Sequence, residues 1–579
     1  MKESNQRRVL IRILKYLSSY RKSVIIVISI MTISSIISVI LPFLAKDVID
    51  NKIPLGKINA VLSVILIYII LALILSLLSI IRVRIMSRVS NKVVLKIRDE
   101  VFKHLQTLDL HYFNSHPTGN ILSRIIGDIS SLKQLVTQLV STLIPQTMFL
   151  ISLIIAMVVL NPVLAFGSLL SLPIVLIGTF IIMRVNFKRW YDYRKKQSEL
   201  AGFSHEAFAG IKVIQSLACE EAEKKSFEKI NDDILSSWIR CVRFGDTLGI
   251  IIDLSIGIGF LFLFLFAIYI DHSTVGELIA FSTYIMLFWQ PIKALAQMFN
   301  QVSNNLSGAS RVFEILDEKS YILDSPQAIE LPKIKGEVEF KNVSFSYPDD
   351  KESLIIENIN FTVKAGERIA LVGPTGAGKT TIINLLSRFY DPIKGSILVD
   401  GYDIKELSTA SLRKQLGIMT QDSFLFSGTI KENLTYGCEN VSDEAIVNAC
   451  KVIGCHNFIS KLQSGYDTLI SSLTLSMGQK QLLALARTLI KDPRILILDE
   501  ATSNIDTQTE LLVQNGISKL MSGRTCFIVA HRLSTIKNSD RIFVLDDNKI
   551  IEEGSHEELI KLNGFYTMLY NSQFEGGIN

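Results

Sequence analysis

The stretch from Ile369 to Leu386 reads IALVGPTGAGKTTIINLL. Gly373 is followed by four residues and then by Gly378, Lys379 and Thr380. An apolar run enters this loop and another leaves it, the strand–loop–helix setting in which backbone N–H groups cradle phosphates. Glycines let the backbone from Gly373 through Thr375, Gly376, Ala377 and Gly378 to Thr381 wrap around the anion, and the start of the following helix adds its positive end. Lys379 would reach the outer phosphates, and the Thr380 hydroxyl would ligate Mg²⁺.

About 120 residues on comes RILILDEATSNID, an apolar strand that ends in Asp499 and Glu500. A carboxylate at a strand end suits Mg²⁺, and an adjacent one suits polarising an attacking water. A further apolar run, TCFIVAHRLSTI, ends near His531. A histidine at a strand end is by itself a structural residue; beside the other two motifs it is a candidate contact for a γ-phosphate.

These residues need a scaffold, and the chain supplies two unlike halves. At 579 residues it exceeds what one core organises. From about residue 335 to 579 short apolar runs alternate with Gly and charge, as in an α/β domain. The first 300 residues or so hold six apolar stretches of membrane-spanning length, at about 23–45, 60–81, 135–160, 162–184, 248–270 and 276–298. The expected organisation is an interfacial helix over 1–22, a six-span domain over 23–316, a linker over 317–334 and the α/β domain thereafter. The fold class is thus a polytopic α-helical membrane domain fused to an α/β phosphate-loop nucleoside triphosphatase domain. The N-terminal segment RRVLIRILKYLSSYRKS is basic and amphipathic, without a small-residue cleavage site, and reads as lying in the lipid interface before an uncleaved span.

The two long connections, 82–134 and 184–247, are rich in Lys and Arg, while the other three hold only Lys46, Lys52 and Lys57. This asymmetry places both termini and both long loops in the cytosol. Each long loop continues the helical period and carries a local break, so each is a helical hairpin that is either solvated or docked by its tip on the α/β domain. The net charge of +5 gives no case for nucleic acid. The six cysteines lie in segments read as non-extracellular, and Cys450 and Cys455 have no second pair to complete a zinc site, so reduced, buried thiols are expected.

On the sixth span Gln290, Lys293, Gln297, Asn300 and Asn304 fall on one helix face. Polar groups unpaired in lipid cost several kcal/mol, so this stripe turns away from lipid. It lines a water-filled pathway, or it serves interhelical hydrogen bonding as the helix emerges from the membrane. Asp253 on the fifth span lies at a depth that allows pairing with Lys293.

The phosphate loop, the LSMGQ signature at 475–479, LILDE and AHRLSTI, in this order and spacing, resemble the ATP-binding cassette, and six spans with two long cytosolic loops ahead of it resemble an ABC exporter half-transporter. YFNSHPTGNILSRI and EAFAGIKVIQ look like the family's coupling-helix regions. The resemblance implies ATP as the nucleotide and Tyr347 of FSYP stacked on adenine. It implies Gln421 of MTQD in the Mg²⁺ shell and Asp506 of SNID between two sites. Ser476, Gly478 and Gln479 would grip the γ-phosphate of ATP held by another chain's phosphate loop.

Two departures stand out against that resemblance. Met477 occupies a signature position where glycine is usual, and only LISSLT separates GYDT from the signature, without the usual acidic residue and glycine. Together they point to a heterodimer with a second half-transporter whose signature is intact, with a homodimer as the alternative. The expected function is ATP-driven export of hydrophobic or amphiphilic compounds, of multidrug type, across the cytoplasmic membrane. The alternatives are a homodimeric lipid flippase or peptide exporter, and a membrane-anchored ATPase that senses rather than transports.

Overall fold

The computed structural model describes residues 2–56, 58–350, 353–419, 423–499, 507–529 and 536–572. The chain divides into two compact units: Met1–Gln106 with Thr118–Asp317, and Thr107–Pro117 with Glu318–Asn579.

The first unit is helical throughout. Helix α1 (Lys2–Ser18) buries Val9, Ile13 and Leu17, spaced four apart, and leaves Ile11 and Leu14 exposed on another face. Its Arg12 forks onto both carboxylate oxygens of Asp317 at 2.7 and 2.6 Å and lies over the Phe313 ring. Five stretches are long and apolar enough to cross a membrane: Arg21–Lys52, Ile58–Thr107, Thr118–Leu160, Glu220–Asp271 and Val275–Leu295. They are carried by α2 (Arg21–Asp47), α3 (Ile58–Thr107), the run from α5 (Thr118–Ser123) through α6 (Ile129–Gln138) to α7 (Ile144–Leu160), which follows the short α4 (Leu110–Ser115), and then α11 (Glu220–Phe266) and α12 (Val275–Asp317). Helix α4 belongs to the second unit. The span expected over 162–184 is divided into α8 (Pro162–Leu169) and α9 (Leu172–Ala209). Pro173 explains the break, because its ring crowds the carbonyl four residues back and it has no N–H to donate to it.

Side chains such as Ile65, Leu66, Ile69 and Leu73 on α3 are about half exposed, as lipid-facing residues are. The long loops are rigid extensions of the spans: α9 and α11 pack along each other, and the short helix α10 (Ile211–Ser216) joins them without a buried residue. The lower parts of α6 and α12 are tied by polar bonds. Arg311 donates to both carboxylate oxygens of the buried Asp128, and Asn305 donates to Gln138 at 3.1 Å. At the other end Lys46 meets Glu277 at 2.8 Å, and Asp50 accepts the Gly276 N–H at 2.8 Å. A Cβ at Gly276 would lie 2.6 Å from that carboxylate.

The second unit holds two sheets. A four-stranded antiparallel sheet runs β2-β1-β4-β5, from β1 (Val338–Phe345), β2 (Ile356–Val363), β4 (Lys394–Val399) and β5 (Tyr402–Asp403). A six-stranded sheet runs β10-β9-β3-β8-β7-β6, from β3 (Arg368–Val372), β6 (Leu416–Met419), β7 (Ile495–Asp499), β8 (Thr525–Val529), β9 (Arg541–Asp546) and β10 (Lys549–Gly554). Five of its strands are parallel, and β10 pairs antiparallel at the edge. The parallel strands are continuous apolar runs because helices cover the sheet. Those helices are α13 (Lys379–Leu386), α14 (Thr409–Gln415), α15 (Ile430–Leu434), α16 (Asp443–Ile453), α17 (His456–Ile459), α18 (Met477–Lys491) and α19 (Thr507–Met521). One core joins the two sheets through Phe340, Phe361, Phe527 and Phe543; a second packs α16, α18 and α19 on the other side of β7 and β8.

Candidate functional site

Parallel pairing puts the C-terminal ends of β3, β6, β7 and β8 on one edge of the sheet. Leu371 and Asp499 both pair with Val529, so the phosphate loop and the Asp499 carboxylate flank the end of β8 at one level. This edge is where α/β sheets bind ligands. Gln421, Glu500, Asp506 and His531 lie outside the described residues, just beyond the ends of β6, β7 and β8 or before α19.

The loop backbone requires its glycines. Gly373 has φ +157°, and a Cβ there would lie 2.3 Å from the Leu545 carbonyl oxygen. Gly376 and Gly378 have φ near +90°, a region costly for other residues. Lys379 is buried and folds back so that its Nζ donates to the carbonyls of Gly373 and Pro374 at 2.7 and 2.8 Å. Burial holds its ammonium below the usual lysine range, and the Asp499 charge works against that fall. A buried cation that, among the described residues, is hydrogen-bonded by two neutral carbonyls is well placed to take an anionic ligand. Thr375, Gly376 and Thr380 are exposed along the loop, while Ala377 and Thr381 are buried beneath it. Thr380 and Asp499 fit the ligand set of Mg²⁺, hard oxygen donors at a loop–helix start and a strand end.

The Tyr347 hydroxyl hydrogen-bonds with Thr381 Oγ1 at 3.1 Å. The Tyr347 ring meets Phe345 and Tyr390 edge-on, at 5.0 and 5.2 Å between centroids. These edge-on contacts and the hydroxyl bond fix the orientation of that ring.

The signature starts a helix. Ser476 caps α18: its hydroxyl accepts from Gln479 N–H at 3.3 Å, and the Gln479 side chain accepts from Ser476 N–H at 3.0 Å. This reciprocal pair was legible as S-x-x-Q ahead of an apolar run. Gly478 is buried, whereas Met477 is 44% exposed. The short segment before it folds onto its own domain, with Ile470 N–H bonded to the Gly428 carbonyl at 2.8 Å and Ile430 N–H to the Thr468 carbonyl at 3.0 Å.

In the first unit Gln290, Lys293 and Gln297 are all exposed on α12, with the buried Phe288 on the opposite face and the buried Trp289 and Met298 flanking the stripe. Lys293 meets Asp253 at 3.5 Å. Asp253 lines an open groove of about 520 Å³ with Ile250, Leu254, Gly257, Ile258 and Leu261, one face of α11. The side chains of Asn300 and Asn304 lie outside the described residues. The expected reduced thiols differ in burial: Cys241, Cys450, Cys455 and Cys526 are buried, but Cys219 is exposed.

Sequence reasoning left the tip of the first long loop without residue roles. The described tip, α4, docks on the α/β domain. Asp109 caps α4 by accepting Tyr112 N–H at 3.2 Å, and the same carboxylate accepts Tyr321 N–H at 2.5 Å. Asn114 donates to the Tyr390 hydroxyl at 3.3 Å, Leu110 packs on the domain core, and His111 lies 3.5 Å from Asp349. An Asp just before a helical run is a capping signal and was available from the sequence.

Comparison with known proteins agrees with this geometry. Residues 24–292 match the family model described as ABC transporter transmembrane region, and residues 356–503 match the one described as ABC transporter. The chain is 38% identical over 575 residues to an uncharacterized ABC transporter ATP-binding protein, YknV, of Bacillus subtilis (strain 168), covering 98% of this chain and 95% of that one. It is 33% identical over 586 residues to an ATP-dependent lipid A-core flippase of Syntrophus aciditrophicus (strain SB), covering 99% of this chain and 96% of the flippase. A bacterial Atm1-family ABC exporter solved with ATP bound superposes with a TM-score of 0.80 at 29% identity, covering 96% of this chain and 98% of that one. The chain belongs to the ABC transporter family, as an exporter half-transporter that carries its membrane-spanning region and its ATP-hydrolysing cassette on one polypeptide.

Proposed function

We propose that this half-transporter exports hydrophobic or amphiphilic compounds across the cytoplasmic membrane, paired with a second half-transporter of different sequence. The observation that carries the reading is the exposed stripe of Gln290, Lys293 and Gln297 on an apolar helix, with Asp253 beside it. Among the described residues, the Asp253–Lys293 pair is the one polar contact these groups make within their own chain. Lipid is a poor neighbour for them, so a second chain shelters them and the stripe lines the wet side of the pathway. Apolar groove walls beside one ion pair suit a cargo with a greasy body and a polar end.

ATP is held by Gly373–Thr381 and Tyr347, with Mg²⁺ at Thr380, Gln421 and Asp499 neutralising phosphate charge. Glu500 orients the attacking water, and His531 contacts the γ-phosphate. Ser476, Gly478 and Gln479 serve the partner's ATP, with Asp506 between the sites. The Lys and Arg content of the long loops supports cytosolic termini. Met477 and the short LISSLT segment support a partner with an intact signature.

The test is ATP-dependent uptake of fluorescent amphiphiles into inverted vesicles that contain this chain alone or with a neighbouring half-transporter. Uptake only from the pair is the expected result. Vigorous uptake from this chain alone would overturn the heterodimer, and ATPase activity without uptake of any cargo would favour a sensor. A lipid flippase, the activity named for the Syntrophus relative, is distinguished by movement of labelled lipid between leaflets.

A further inference from the structure

Arg388 is a fully buried arginine two residues beyond the end of α13, the helix that starts in the phosphate loop. Its side chain is only 2% exposed. Its backbone is left-handed, with φ +49°, an unusual conformation for a non-glycine residue that persists only where the surroundings dictate it. The guanidinium donates to the carbonyls of Leu407 and Lys405 at 2.6 and 3.1 Å. It also reaches the segment that descends from the last span: Asp324 Oδ1 at 3.2 Å and the Leu323 carbonyl at 3.4 Å.

Asp324 has a second duty. Its carboxylate accepts Thr409 N–H at 3.0 Å and the Thr409 hydroxyl, at the first residue of α14. Helix α14 in turn carries Arg413, which donates to the Ser387 and Arg388 carbonyls at 3.2 and 2.7 Å. The bonds close a ring: linker to α14, α14 to the end of the phosphate-loop helix, and that end back to the linker. Four residues upstream, Ser320 and Tyr321 N–H bind the Asp109 carboxylate that caps α4. The strap from Ser320 to Asp324 therefore joins the tip of the first cytosolic loop to the end of the phosphate-loop helix.

We propose that Asp324 and Arg388 are a positioning pair that stiffens this strap, so that nucleotide binding at α13 changes how firmly α4 is held. A charged pair suits the task, because the guanidinium keeps Asp391 at 3.5 Å and its carbonyl acceptors whether or not the strap is held, while the strap is held in one place through Asp324. An apolar linker contact would slide; a forked one has a single register. The proposal rests on reading Gly373–Thr381 as the ATP site, and it concerns transmission rather than cargo.

The experiment is hydrogen exchange of the full-length protein in lipid nanodiscs, with and without ATP, read at the amides of Leu110–Ser115. In the unaltered protein ATP is expected to slow exchange there several-fold. Asp324→Ala leaves Arg388 its carbonyl acceptors and removes a partly exposed side chain, so the fold and the ATP affinity are expected to stay within twofold. The response at α4 is expected to vanish. Asp324→Asn keeps an acceptor for Arg388 and is expected to retain at least half of the response. Where transport is measured in parallel, compound moved per ATP hydrolysed should fall about fivefold in Asp324→Ala. An unchanged response in Asp324→Ala overturns the proposal. So does the absence of any ATP response in the unaltered protein, or an equal loss of thermal stability and ATP affinity, which is what a merely structural residue would give. Failure of the proposed export shows separately, as no uptake by a protein whose α4 still responds to ATP.

Discussion

The two units solve opposite problems. The cassette encloses its chemistry: parallel strands bring the phosphate loop and Asp499 to one edge, and burial holds the Lys379 ammonium below the usual lysine range. The membrane unit leaves a polar face open, with Gln290, Lys293 and Gln297 exposed on a helix whose other side is packed with Phe288. On the proposed reading, one unit holds this chain's share of the ATP sites, whereas the other is completed by a second chain. Chemistry that depends on local backbone geometry can be built within one chain, but a pathway for solutes needs walls from two.

Perturbations of the cassette should accordingly be large and those of the open face small. In the active pair, Glu500→Gln should lower turnover by about 10²- to 10³-fold, since water activation contributes on that scale. Ser476→Ala in this chain should leave most turnover, because the competent site uses the partner's signature; steady-state ATPase assays check both. If Ser476→Ala costs as much as Glu500→Gln, both sites depend on this chain and the homodimer is the better reading. Lys379→Ala should weaken ATP binding by about ten- to a hundredfold, the value of a charge-assisted bond to phosphate, measured by nucleotide titration. An affinity within twofold would remove the loop from the ATP site.

Gly373→Ala tests the enclosure itself. With φ +157° and a carbonyl oxygen 2.3 Å from the new Cβ, the variant should lose about 2–3 kcal/mol of cassette stability in thermal unfolding. On the open face, cysteines at Gln290, Lys293 and Gln297 should react with a water-soluble thiol reagent several-fold faster than cysteines at Ala294 or Met298. Adding the partner chain should slow a subset of them. The smallest effect is expected for Asp253→Asn, because an exposed ion pair at 3.5 Å contributes at most about 1 kcal/mol. Stability should hardly move while the preference among charged cargos shifts. A large loss of stability would mean that the pair is structural.

The sequence showed the cassette more fully than the membrane unit, for a physical reason. The phosphate loop, the strand ending in Asp499 and the S-x-x-Q cap of α18 all depend on neighbours a few residues apart, so their spacing is their geometry. Six spans were legible as apolar length, yet the division of the fourth into α8 and α9 follows from Pro173, whose effect in a membrane depends on packing as much as on sequence. The Asp253–Lys293 pair was legible because helix period and depth limited the choices. Arg388 and Asp324 were not. A charged residue in a soluble domain ordinarily reads as solvated, and the partners that bury Arg388 come from 17 to 65 positions away. Asp109 was missed for the same reason: its capping role is local, but its bonds to Ser320 and Tyr321 span more than 200 residues.

The membership of Thr107–Pro117 in the cassette unit has a consequence in time. This segment leaves the ribosome about 200 residues before the linker that it binds, and longer still before Asp349 and Tyr390. At roughly 10 residues per second, α4 waits about 20 s with Leu110 and Asp109 lacking the partners they will have in the finished protein. During that interval the first long hairpin lacks the docking site supplied later by the cassette. Its assembly is a late step of biosynthesis, set by the arrival of the cassette, so a chain stopped after the last span would present an unfinished hairpin to the cell's quality control.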